Sequence, residues 1–155
     1  MSDVKMDRAK KVYDALCEAL DARNWNYEKA EEELLVHFRV TGEDLPIQFI
    51  IFADIERQLL RLLSALPFDM SEDKRIDGAI AACHANYGLT DGSFDYDISD
   101  GKVSFRMVQS FHDSEVSREI IEYMIDFTCF IIDKYNDKFF ALNKGFMSIE
   151  KFLEE

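Results

Sequence analysis

The sequence predicts an α+β domain in which an antiparallel sheet is flanked by helices, in the order helix, strands, helix, hairpin, helix, with a short helix at the end. Three observations carry that expectation. Apolar residues recur three and four apart near both ends of the chain; in two blocks between them they alternate with polar residues; and turn residues break each block where a hairpin would reverse. With 155 residues, 48% of them hydrophobic and thirteen of them Phe, the chain can fill one core, so a single domain over residues 1–155 is expected.

Between Met6 and Leu20 the stripe is Ala9, Val12, Tyr13, Leu16 and Leu20, the pattern of a helix lying on another layer. Asn24-Trp25-Asn26 interrupts it. Leu34, Val36, Phe38 and Val40 then alternate with Leu35, His37 and Arg39, as a strand does when one face is buried. Thr41-Gly42-Glu43-Asp44 has turn composition, and Pro46 stands where a strand can start without its missing donor being felt. Ile47 to Phe52 is the returning strand.

Ile55 to Leu66 reads two ways. Leu59, Leu62, Leu63 and Leu66 suit a helix, and leucine favours one; as a strand, the stretch puts Leu60, Leu62 and Leu66 on one face and Arg61 on the other. Pro67 is expected to end either element. Ser71 is a good N-cap, with Glu72 and Asp73 in the first turn, and Ile76, Ile80, Cys83 and Tyr87 form one stripe. The alanines at 79, 81, 82 and 85 would let this helix approach a sheet closely, and Gly88 closes it.

Phe94, Tyr96 and Ile98 alternate with Asp95 and Asp97, Ser99-Asp100-Gly101 turns the chain, and Val103, Phe105 and Met107 return. A long helix from Ser114 carries two apolar lines: Ile120, Met124, Phe127 and Ile131 in one, Ile121, Ile125, Ile132, Tyr135 and Phe139 in the other. Gly145 breaks the chain, and Ser148 caps a short last helix through Phe152 and Leu153.

Eighteen basic against thirty-one acidic side chains give a formal charge of -13, and no basic patch is visible, which argues against nucleic-acid and membrane-surface roles. Cys17, Cys83 and Cys129 are odd in number and far apart, so they form no disulfide framework and a reducing cytoplasm is the expected location. The opening MSDVKMDRAKKVYD holds no apolar run of the signal-peptide kind, and the segment Ile120 to Ile132 carries Glu122 and Asp126, so no membrane span is expected.

Chemistry is sparse. Cys83 and His84 are helix neighbours pointing about 100° apart, not a nucleophile beside its base. All three cysteines read as small core residues. His37, His84 and His112 have no second ligand at metal spacing, so no metal, cofactor or catalytic residue is expected. Asp91, Asp95, Asp97 and Asp100 are denser. Strand and turn chemistry accounts for them, and the alternative is a metal-assisted enzyme using the acidic hairpin around Asp95, Asp97 and Asp100 with His112. The excess apolar line on the long helix points to a partner surface at Met124, Phe127 and Ile131, used for self-association, or else to burial under the last helix.

Leu66-Pro67-Phe68, Glu72 with Lys74-Arg75, Asn86-Tyr87-Gly88-Leu89, Gly92, Phe94, Asp97 and Asp100-Gly101, taken as an ordered set, resemble the YbjN family, "putative bacterial sensory transduction regulators". The resemblance spans roughly Leu34 to Tyr135. That family is similar in fold to type III secretion chaperones, which have α-β-β-β-α-β-β-α order, pair as homodimers and bind unfolded segments of partners. The resemblance implies that the stretch before Leu66 is the third strand. It also implies a non-catalytic protein-binding module, chaperone-like or a signal-transduction regulator, with a protein or peptide partner. The chain departs from the family pattern by its leucines before Leu66 and by Cys83 and His84.

Overall fold

The computed structural model describes Ser2–Glu155. Helix α1 (Ser2–Ala22) is followed by strands β1 (Glu28–Ala30), β2 (Leu35–Thr41), β3 (Pro46–Asp54) and β4 (Leu59–Asp69). Helix α2 (Arg75–Tyr87), the hairpin β5 (Ser93–Asp97) and β6 (Lys102–Ser110), the long helix α3 (Arg118–Lys144) and α4 (Ile149–Glu154) complete the chain. The strands form one antiparallel sheet in the order β1-β2-β3-β4-β6-β5. The expected α+β order is present, with β1 as an addition too short to show alternation in the sequence.

The ambiguous leucine stretch resolves into a turn and a strand. Ile55 to Gln58 reverses the chain, with Gln58 at φ 54° and its side-chain amide donating to the carbonyls of Ile55 (2.6 Å) and Lys5 (3.1 Å). Strand pairing then overrides the helical preference of leucine, because Leu60, Leu62 and Leu66 enter the core together with Phe49 and Ile51 of β3.

Pro67 does not end the strand. The register against β6 shifts between Ala65 and Asp69, so Pro67 sits in an irregularity where its absent N–H has no ladder bond to make.

Three helix readings also need correction. Ser117, not Ser114, caps the long helix, its side chain accepting from Ile120 N. In α2 the buried face is Gly78, Ala81, Ala82 and Ala85, so the bulky stripe points outward. Closeness decides this: a Cβ at Gly78 would collide with Tyr96, whose hydroxyl donates to Arg75 O at 2.7 Å. Ser71 engages Asp73 with its hydroxyl (2.7 Å) and makes no side-chain cap bond to the backbone.

The core lies between one sheet face and the helices. Val36, Phe38, Ile47, Phe49, Ile51, Leu60, Leu62, Val103, Phe105 and Met107 meet α1 and α3, which also touch each other. At one end Phe94 stands 5.3 Å from Phe105 and 5.5 Å from Phe139, and Phe152 of α4 closes over Phe139 at 5.3 Å. Among the described residues no helix is long and apolar enough to cross a membrane.

Candidate functional site

The residues expected to meet a partner on α3 are largely covered by the chain itself. Met124 and Ile131 are 3% and 4% exposed, and Phe127 is half-buried between Tyr123 (5.6 Å) and Phe105 (6.3 Å). A partner could reach Met124 and Ile131 only if α3 left the sheet. The cover is the sheet, since Thr128 of the same helix approaches Met107 Sδ at 3.5 Å; α4 covers the far end of α3 instead.

The acidic hairpin is dispersed. Asp97 Oδ1 accepts from the backbone and hydroxyl of Ser99 (2.9 and 2.6 Å), and the Ser99 hydroxyl bond, with the backbone bond beside it, holds its carboxyl below the ordinary range. Asp100 accepts from Lys102 N at 2.8 Å, and Asp95 pairs with Arg106 at 3.0 Å. His112 lies past the opposite end of β6, roughly 30 Å from the turn at the usual rise per strand residue. Among the described residues no three His, Cys, Asp or Glu side chains come together as metal ligands.

Cys83 is exposed on α2, contrary to the core position expected for it, because α2 buries its small face. Cys17 is buried and Cys129 half-buried, and burial raises both thiols, that of Cys129 to about 11. Neither is a thiolate near neutrality. His84 meets Phe152 edge-on, and His37 stands 3.3 Å from Glu28 at the sheet surface.

Among the described residues, apolar surfaces outside the core include Tyr123 and Phe130 beside Phe127 on α3, and two larger ones. The first is the α2 stripe: Ile76 (64% exposed), Ile80 (42%), Cys83 and Tyr87 (94%) follow one another at helical spacing. The second is the sheet face turned away from the helices. On it Leu35 pairs across to Phe52 and Ile50 to Leu63, with Leu59 and Val108 beside them, and none of these six belongs to the core cluster.

Charge on this second face is nearly balanced. Arg39, Arg61, Lys102 and Arg106 share the outward strand positions with Glu28, Asp54, Asp69, Asp95 and Asp97. Asp54 binds Arg57 through backbone (3.0 Å) and side chain (3.2 Å), with Arg61 at 3.7 Å. Burial opposes ionisation of Asp54, and those contacts outweigh it, leaving its carboxyl below the ordinary range. Arg61 also lies over the Phe52 ring at 5.1 Å. A cavity of about 490 Å³ opens on this face near His37, Arg39, Gln48 and Ile50.

The sequence motifs that suggested a family are architectural. Asn86 accepts from Phe94 N (2.6 Å) and donates to Phe94 O (3.0 Å), so its carboxamide stands where a neighbouring strand would be. Gly101, at φ 78°, passes so close to Met70 that a Cβ would overlap its carbonyl.

The structure is thus an antiparallel sheet with helices on one face and a nearly charge-balanced free face on the other. The chain belongs to the YbjN family: the family model, described as "Putative bacterial sensory transduction regulator", matches residues 13–141. It is similar in fold to the crystal structure of "YbjN, a putative transcription regulator from E. coli", with a TM-score of 0.57 and 12% identity over 81% of this chain and 92% of that one. No curated protein matches it.

Proposed function

We propose that this protein is a non-catalytic regulator that acts by holding another protein, in the cytoplasm, as the odd and separated cysteines favour. The observation that carries the reading is the α2 stripe. Ile76, Ile80, Cys83 and Tyr87 are spaced four, three and four apart, the repeat of a helix seam, and they stand in solvent rather than in the core. An amphipathic helix of a partner could lay its apolar side along them. Strand addition is less suited to this sheet, since β1 has three residues and Asn86 occupies backbone groups of β5.

The test is affinity capture of the tagged chain from its native lysate, against a charge-matched acidic control, with mass spectrometry of what is retained. One stoichiometric partner, lost on Ile80→Glu, is the expected result for a dedicated regulator. Many partners in small amounts would favour a chaperone-like role, which the charge and open surfaces also suit. Recovery of nothing beyond the control would overturn both. The metal-assisted enzyme is tested separately: a rise in melting temperature on adding divalent cations, abolished by Asp97→Asn, would revive it.

A further inference from the structure

We propose that two copies of the chain pair through the uncovered face of the sheet, burying Ile50, Phe52 and Leu63 against a second copy. This is a different surface from the α2 stripe and stands independently of it. A wet face on an antiparallel sheet normally alternates polar residues against the core positions, whereas a strand apolar in both phases is characteristic of one covered on both sides. Strands β3 and β4 are of the second kind at their centre, where Ile50, Phe52, Leu59 and Leu63 point away from the helices while Ile51, Ala53, Leu60 and Leu62 point into the core.

Charge selects the occupant. Each copy carries -13, so two copies repel one another through most of their surfaces. The outward sheet positions hold four cations against five acids, a near balance that removes most of that repulsion on this face and lets it meet itself across a two-fold axis. Size agrees. Six strands at about 4.8 Å spacing and about 24 Å of strand length give a footprint near 700 Å², before side-chain relief is added. A standard interface takes roughly 800 Å² from each partner. Two sheets stacked in this way interdigitate their side chains across a layer about 10 Å thick.

The experiment is sedimentation equilibrium of the full chain over a micromolar concentration series. The wild type is expected at twice its 18.1 kDa mass, and Leu63→Glu at the single-chain mass with an unchanged circular dichroism spectrum. Should Leu63→Glu fail to fold, Val108→Lys, at a position 43% exposed, replaces it with the same expected loss of the pair. Ile80→Glu on α2 should keep the doubled mass, which separates this proposal from the capture experiment. A wild type of single-chain mass throughout overturns the proposal, as does a folded Leu63→Glu or Val108→Lys that stays paired. A single-chain wild type whose captured partner is lost on Leu63→Glu also overturns it, and would assign the face to a foreign protein.

Discussion

At the centre of β3 and β4 the two faces of the sheet are both apolar, yet they meet different neighbours. On the helix side Phe49, Ile51, Leu62 and Phe105 are at most 1% exposed and touch α1 or α3 through the core. On the other side Ile50, Phe52, Leu63 and Val108 are as apolar, yet their neighbours are Arg61, Arg106 and solvent. At the centre of β3 and β4, side-chain type therefore does not distinguish the core phase from the outer one. Only the phase of each residue relative to the helices does.

Truncation gives the sharpest contrast. Phe105→Ala should lose about 3–5 kcal/mol of stability to transfer and cavity terms. Leu63→Ala should lose under about 1.5 kcal/mol in a single chain, since little of that site is enclosed. Chemical denaturation with matched slopes measures both. Equal losses would mean that the second face is packed in the isolated chain, and the contrast would fail.

A smaller effect concerns the edge of the covered face. Asn86→Ala removes both bonds to Phe94 and leaves its backbone donor and acceptor without their partner, which should cost about 1–3 kcal/mol. Hydrogen exchange of the Phe94 amide should speed up before that of β3 amides. Exchange that rises equally in β3 would show that the edge and the centre open together.

The smallest expected effect is electrostatic and belongs to the open face. Because Asp54 has a folded-state carboxyl below its unfolded value, its contribution is present above the unfolded pKa of about 4 and fades as pH falls through the lower folded value. Asp54→Asn should therefore narrow the stability difference from wild type as the solution is acidified below pH of about 4. A difference constant from pH 7 to 2 would remove Asp54 as its source.

Much of this contrast was legible in the residues. The alternation of Val36 with His37 and of Phe105 with Arg106 marks which phase is buried, and Ser117, although missed, is an ordinary cap three residues before Ile120. The orientation of α2 was not legible from bulk. A stripe of Ile76, Ile80 and Tyr87 reads as core until a close neighbour such as Tyr96 is known to leave room only for Gly78 and the alanines.

The open face had a signal. Apolar residues in both phases of Ile47 to Phe52 and Leu59 to Ala65 describe doubly covered strands, and the helical ambiguity of the leucines came from the same doubling. Met124 and Ile131 of the partner line on α3 are covered because two apolar lines on one helix can both be largely absorbed when the sheet lies under one and the neighbouring helices beside the other.

The Asn86 carboxamide has one more consequence. An edge strand is normally a template on which further chains can stack into cross-β fibrils. At one border of this sheet a side chain already fills the place of the next strand, and at the other β1 offers three residues, fewer than a stacking segment needs. Both margins of the native sheet thus present short, partly occupied edges, which lowers their use as templates for cross-β growth.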